Sequence, residues 1–267
     1  MTEAPELTGP NGTGYGRHAP GAPCRVSLMV HGLAATQEFY GALFGWEFRP
    51  GPRQPGPYVR AMLDGREVAD IGQLPPGRRL PVAWTPYLAS DDVDLTAAAV
   101  RSCGGTVGVG PLDAADAGRM AVAVDPSGAV FGLWQATGPL REGAAGVPGA
   151  PARHELITRD AAVVARFYRS VFGYEQRPHV SADFDCVSLL LDGRPVAEIR
   201  GMGRVLPRDR GSHWITYFAV PDVDAAAERL TALGGRVARR PHDTPLGRAA
   251  AATDPEGALF GLVDAGL

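Results

Sequence analysis

The sequence predicts an α+β protein built from four βαβββ units that pair into two tandem modules. Three observations predict it. The chain repeats itself: Phe39-Tyr40 and Phe44-Gly45-Trp46 return as Phe167-Tyr168 and Phe172-Gly173-Tyr174, shifted by 128 positions. Each copy then reads as strand, helix and three short strands, twice over, and runs of three successive strands favour a largely antiparallel sheet. Each copy also closes on the same turn-strand signal, DPSGAVFGL (125–133) and DPEGALFGL (254–262).

The elements follow in order. CRVSLMV (24–30) reads as the opening strand, and a helix is expected from Leu33 to Phe44. In the second copy Val164, Phe167, Tyr168 and Val171 fall at i, i+3, i+4 and i+7, one face of a helix. Asp160 is placed to cap it. WEF, YVRAML and VADI are the three short strands. LDGREVADI (63–71) matches LDGRPVAEI (191–199). The second half of the module opens with the strand WTPYLA. DDVDLTAAAVRSC is a helix stopped by Gly104-Gly105, and PDVDAAAERLTALGG is its counterpart. TVGVG, RMAVAV and AVFGLW complete the module. In the DPxG turns Pro fixes the backbone at the second position of a tight turn.

Residues 1–23 read as a mobile tail, 24–135 as the first module, 136–152 as a Gly/Pro/Ala-rich linker and 153–267 as the second module. All 26 basic residues are arginine, and with abundant Ala, Gly and Pro this fits a GC-rich bacterial coding sequence. A net charge of -3 without a basic stripe argues against nucleic-acid binding. Cys24, Cys103 and Cys186 form no CxxC pair, which argues against a disulfide framework or zinc knuckle. No segment reaches the roughly 18 apolar residues of a membrane span. The N-terminal stretch lacks the apolar run of a signal peptide. A cytoplasmic location is expected.

The motifs together resemble the vicinal-oxygen-chelate superfamily, which includes glyoxalase I, extradiol dioxygenases and bleomycin-binding proteins. The resemblance rests on Phe39-Tyr40, Gly45, Gly118-Arg119, Asp125-Pro126 and Gly128, and on Phe167-Tyr168, Gly173, Gly247-Arg248, Asp254-Pro255 and Gly257. It covers about residues 24–135 and 153–263. It implies two curved sheets, mixed or antiparallel, each enclosing a cleft. It also implies a divalent metal held in the cleft by His, Gln or Glu from four strands. The positions that the resemblance assigns to those ligands carry Arg25 and Arg153, Thr85 and Ile215, Gly132 and Gly261, and Asp70 and Glu198. Arginine has no lone pair to give, and isoleucine and glycine have no donor side chain. The expectation is therefore no metal at these positions, and no cofactor.

Several side chains remain as candidates. Asp70 and Glu198 occupy equivalent positions and read either as buried general bases or as partners for arginine. Arg25 and Arg153 can pair with them, bind an anionic ligand or sit on the surface. Thr85 and Tyr87 share strand parity, so both face the cleft if one does; Tyr217 is the counterpart of Tyr87, and Trp134 shares parity with Gly132. Trp84 and Trp214 read better as core. Gly132 and Gly261 are expected to widen the clefts. His154 and Glu155 are adjacent on a strand and must point to opposite faces.

The expected function is metal-free binding of a small organic molecule, a natural product or toxic metabolite, in the clefts. The alternative is a lyase, isomerase or hydroxylase-like enzyme of the same superfamily, with a carboxylate base or an unrecognised metal site. The expected form is a monomer holding an intramolecular pseudo-dimer, or a homodimer.

Overall fold

In the computed structural model, residues 15–16, 19–51, 56–77, 80–138, 140–141, 146–181, 184–207, 210–244 and 247–265 are described. Most of the expected tail, residues 1–14, and residues 142–145 of the expected linker lie outside them.

The first module runs β1 (Pro23–Val30), α1 (Leu33–Phe44), β2 (Glu47–Pro50), β3 (Tyr58–Leu63) and β4 (Arg66–Gln73). It continues with β5 (Trp84–Ala89), α2 (Val93–Ser102), β6 (Thr106–Ala114), β7 (Gly118–Val124) and β8 (Val130–Ala136). The second module repeats this as β9 (Pro151–Thr158), α3 (Ala161–Phe172), β10 (Glu175–Ser181), β11 (Phe184–Leu191) and β12 (Arg194–Gly201). It ends with β13 (His213–Val220), α4 (Val223–Ala232), β14 (Arg236–Thr244), β15 (Gly247–Thr253) and β16 (Leu259–Asp264). These are the four βαβββ units that the sequence predicts.

Each module forms one eight-stranded mixed sheet, in the order β2-β3-β4-β1-β5-β8-β7-β6 and β10-β11-β12-β9-β13-β16-β15-β14. Among the described residues, the parallel pairs in the first sheet join β1 to β4 and β5 to β8, the strands that bracket each half-module. The second sheet does the same with β9–β12 and β13–β16.

The helix ends follow the sequence. Asp92, Asp160 and Asp222 each accept a hydrogen bond from a first-turn amide, that of Leu95, Val163 and Ala225. The helix α1 has no such cap of its own. Glu256, from the DPEG turn of the other module, accepts from His31 N and Gly32 N at 2.7 Å each. Its carboxylate meets the positive end of the helix. Gly45 and Gly173 end α1 and α3 in the left-handed conformation, both at φ 75°.

Alternation along the strands divides the two faces of each sheet. Val26, Leu28, Val30, Ile71 and Trp84 are buried on the helix-bearing face of the first sheet. That face meets its counterpart. One core joins the front half of the first module to the back half of the second, with Phe39, Tyr40 and Phe44 among Phe218, Leu230 and Phe260. The other core joins the remaining halves, with Val93, Val100, Phe131 and Leu133 among Val164, Phe167, Tyr168 and Tyr174. The opposite, concave faces carry smaller clusters, around Tyr87 and Trp134 in the first sheet and around Ile157, Ile215 and Tyr217 in the second.

The repeat begins earlier than the expected module boundaries. Gly21 N donates to Ala89 O and Ala89 N to Ala22 O; Gly149 N donates to Ala219 O and Ala219 N to Ala150 O. Each of these segments also touches the other module: Trp46 Nε1 donates to Gly149 O at 2.8 Å, and Tyr174 Oη donates to Gly21 O. Residues 21–22 and 149–150, within the stretches read from the sequence as tail and linker, are thus hydrogen-bonded into the fold.

The two modules are also tied by an exchanged pair of hydrogen bonds. Tyr40 Oη donates to Asp254 Oδ2 at 3.1 Å and accepts from Trp84 Nε1 at 2.9 Å. Tyr168 Oη donates to Asp125 Oδ2 at 3.2 Å and accepts from Trp214 Nε1 at 3.1 Å. All six residues are buried. Burial, reinforced by the neighbouring aspartate, pushes both phenols well above their ordinary range, so each stays a donor. Removing either hydroxyl strands a buried indole N–H and a buried carboxylate oxygen. Tyr40→Phe and Tyr168→Phe are each expected to cost about 1–3 kcal/mol in urea unfolding. Midpoints that stay at the wild-type value in both variants would remove these bonds from the account of module docking.

Candidate functional site

The concave face of the first sheet gathers around Arg25. Strand pairing sets Arg25 opposite Tyr87, Ser27 opposite Thr85 and beside Asp70, Tyr87 beside Gly132, and Arg60 opposite Asp70. These residues therefore share one face. The Arg25 guanidinium forms an ion pair with Asp70 and another with Glu67 at 3.2 Å. It donates to Tyr58 Oη at 2.9 Å and lies 4.4 Å from the Trp134 ring centroid. Asp70 is wholly buried, at 0% exposure. A buried carboxylate is tolerated only when paired, and Arg25 supplies the pair. Burial works against the charge on Arg25, but Asp70, Tyr58 and Glu67 outweigh it and hold the guanidinium above its ordinary range. Burial, then Asp70, pushes Glu67 up.

The second cleft uses different residues for the same electrostatic task. Its buried carboxylate is Glu155 on β9, 1% exposed. Glu155 accepts from Tyr217 Oη at 2.7 Å and pairs with Arg200 at 2.6 Å. Arg153 lies with its guanidinium 4.3 Å from the Tyr217 ring centroid. No carboxylate lies within ion-pair distance of it among the described residues. Its Nε is buried without a hydrogen-bond partner, as is Trp134 Nε1 in the first cleft. Buried donors of this kind call for an acceptor, from a ligand or from water.

Glu198, the counterpart of Asp70, has a different setting. Its carboxylate faces His179 at 3.4 Å and keeps 15% of its side-chain surface exposed. Its oxygens also lie near the Cys186 sulfur. Burial, then Glu198, pushes the Cys186 thiol up to about 11.

The superfamily's metal does not fit the four positions assigned to it. Arg25 is committed to Asp70, and Arg153 is a cation. Gly132 and Gly261 do not open the clefts as expected. A Cβ at Gly132 would stand 2.1 Å from a carbon of the Tyr87 ring, and one at Gly261 2.0 Å from Tyr217. The glycines are there because the tyrosines lie flat over them. The space a ligand side chain would use belongs to an aromatic ring.

The candidates from sequence therefore sort as follows. Arg25, Asp70, Tyr87 and Trp134 come together in the first cleft, with the Tyr87 and Trp134 rings 6.5 Å apart and perpendicular. Thr85 lies on the same face, half-buried beside Ser27. Arg153 and Tyr217 come together in the second cleft, and Glu198 stands apart from them. Trp84 and Trp214 are core. His154 points away from the cleft into the core, where it meets Thr216 Oγ1 at 3.3 Å. The sequence reading missed Tyr58, Glu67, Glu155, Arg200, His179 and Cys186. Parity held the signal for Glu155, two residues from Arg153. The 128-residue shift held the signal for Cys186, which falls on Tyr58.

With the fold and clefts described, the chain can be set beside known proteins. A glyoxalase-like domain family matches residues 155–263. The chain is 36% identical over 248 residues to "Putative glyoxylase CFP32" of Mycobacterium tuberculosis, covering 91% of this chain and 94% of that one. It is also 36% identical over 270 residues to the anthracycline biosynthesis protein DauV of Streptomyces sp. (strain C5), covering 93% and 94%. Among solved structures it resembles 2,2',3-trihydroxybiphenyl 1,2-dioxygenase of Sphingomonas wittichii, at TM-score 0.63 and 16% identity over 92% of this chain and 91% of that one. The Mn(II)-bound glyoxalase of Novosphingobium aromaticivorans resembles it at TM-score 0.62 and 19% identity, covering 92% and 83%. The fold and clefts are those of the vicinal-oxygen-chelate class. Within it, the chain belongs to the glyoxalase-like family. Among the described residues no helix is long and apolar enough to cross a membrane.

Two outcomes test the electrostatics. Arg25→Met leaves Asp70 buried and alone, and is expected to destabilise by about 3–5 kcal/mol, while Arg25→Met with Asp70→Leu recovers most of the loss. Equal stability of the single and double variants in urea titration would contradict the pairing. His154 is buried and neutral, its pKa lowered by burial from 6.5 to about 4. Because the folded value is the lower one, the unfolded chain binds the extra proton first, and stability falls as pH drops from 6.5 towards 4. At roughly 1.4 kcal/mol per unit, the loss comes to about 3 kcal/mol. His154→Phe is expected to flatten that part of the stability–pH profile, and an unchanged slope would count against the assignment.

Proposed function

We propose that the chain binds a flat, oxygen-rich organic molecule in its clefts, without a metal held jointly by the superfamily's four ligand positions. The observation that carries this reading is Arg153. It is a cation stacked on an aromatic ring, without a carboxylate partner among the described residues, with a buried N–H left to satisfy. An arginine in that setting suits a phenolate, carboxylate or quinone oxygen, and the Tyr217 face beside it suits a planar ring. Trp134, with its own buried N–H, gives the first cleft a similar pair of features. The relationship to the anthracycline biosynthesis protein DauV supports polycyclic aromatic compounds as the class to try first.

The enzymatic alternative, with Asp70 as general base, draws less support. A base needs a free lone pair turned towards substrate. Asp70 is wholly buried, with Arg25 paired to its Oδ2.

Isothermal titration calorimetry against planar hydroxylated quinones and phenolic acids tests the proposal. At least one compound is expected to bind with roughly micromolar Kd. Arg153→Leu is expected to weaken its binding by about tenfold or more, the scale of one hydrogen bond to a charged group. A panel in which nothing binds, or a ligand indifferent to both Arg153→Leu and Trp134→Phe, would overturn the reading.

A further inference from the structure

Glu198, His179 and Cys186 remain unexplained by the proposed binding of an aromatic ligand. They come from three adjacent strands: His179 on β10 pairs with Cys186 on β11, and Glu198 lies on β12, the next strand. The facing atoms of all three lie within 4.8 Å of one another, with His179 Nε2 and Glu198 Oε1 at 3.4 Å. Strand pairing puts them on the face that carries Glu155 and Arg200, at the outer part of the second cleft. A cavity of about 950 Å³ nearby is walled mainly by Ala161, Ala165 and Arg166 of α3 with Pro178 and Val187, on the helix-bearing side of the sheet, and Glu198 does not line it.

We propose that His179, Cys186 and Glu198 bind a single transition-metal ion of borderline softness, Zn(II) by preference. A tetrahedral zinc with bonds of about 2.0–2.3 Å holds its donor atoms about 3.3–3.8 Å apart. The histidine–glutamate distance already meets that spacing, and the sulfur needs to move by about 1 Å at most from the 4.8 Å limit. One thiolate, one imidazole and one carboxylate form a mixed S/N/O set that suits Zn(II) and Co(II), whereas Mg(II) and Ca(II) take oxygen alone. Three protein donors leave the fourth position for water or a ligand oxygen, and His179, with 41% of its side-chain surface exposed, leaves that side of the cluster open to solvent.

The site differs from the superfamily's own. Only Glu198 sits at one of those four positions, while His179 and Cys186 come from strands that carry none of them. It also belongs to the second module alone. The positions 128 residues earlier hold Gly51, Tyr58 and Asp70, of which Asp70 is already paired with Arg25. Arg200, opposite Cys186 on the neighbouring strand, is a nearby cation that Glu155 neutralises, and Arg177 lies two residues from His179 on the same face.

The test uses the full-length, untagged chain, stripped with a chelator, loaded with Zn(II) or Co(II) and desalted. One metal per chain is expected by elemental analysis. The Co(II) form is expected to show a thiolate-to-metal charge-transfer band in the near ultraviolet. Cys186→Ser should abolish that band. His179→Ala, at a side chain with 41% of its surface exposed, should lower Co(II) affinity by about tenfold or more with the thermal melt unchanged. Cys103→Ser should leave both readouts as in wild type. No metal retained after desalting would overturn the proposal. So would a charge-transfer band that survives Cys186→Ser, or an affinity indifferent to His179→Ala. If Cys186→Ser fails to fold, the His179 variant decides.

Discussion

The structure depends on one reciprocal contact: a tyrosine of each module donates its hydroxyl to an aspartate of the other. The aspartate belongs to the DPxG turn, and its two oxygens do separate jobs. In Asp254, Oδ1 accepts from the Glu256 and Ala258 amides and so shapes its own turn, while Oδ2 reaches Tyr40 across the interface. Asp125 does the same with Ser127, Ala129 and Tyr168. A turn that closes one module is thereby held by a helix of the other. The helix-bearing faces are locked together, and the concave faces point away from that interface. Glu256 adds to this by capping α1 from the opposite module, so the first helix is complete only in the docked pair.

Much of this was legible in the sequence, because repeats and turns are local signals. The Asp160 cap and the turn-shaping Oδ1 of each DPxG aspartate act within a few residues, whereas the FY tyrosines act across the module interface. Strand parity tied Tyr87 to Thr85 and Trp134 to Gly132, and the structure puts Tyr87 opposite Arg25 and beside Gly132. The module boundaries were less legible. The Gly-Ala-Pro triplet at 21–23 recurs at 149–151 and marks where each copy starts, but its role is a contact with the other module, invisible to local reading. The two cleft glycines misled for a related reason. Their meaning lies in the tyrosine on the neighbouring strand, and a residue read by itself as empty space is in fact the floor under a ring.

The identity of the buried carboxylate was the least legible feature, since long-range pairing decides it. Asp70 and Glu198 align perfectly in the repeat, yet only Asp70 is wholly buried and paired with an arginine. In the second module Arg200 stands where the first has Gly72, and Glu155 where it has Ser27. Those two exchanges move the buried ion pair from β1–β4 side chains to a new glutamate–arginine pair on the equivalent strands. Glu198 is released to face His179.

The same exchanges free Arg153. In the first cleft the opening-strand arginine is consumed by Asp70, Glu67 and Tyr58, so its charge is spent inside the protein. In the second cleft Arg200 takes over that structural duty. Arg153 keeps its aromatic stacking without an internal carboxylate among the described residues. A duplicated module can therefore hold its fold with one arginine and offer the other to a ligand. The modules thus differ in how their charges are used: the first closes its cleft arginine on Asp70, Glu67 and Tyr58, and the second leaves Arg153 on the Tyr217 ring and sets Glu198 beside His179 and Cys186.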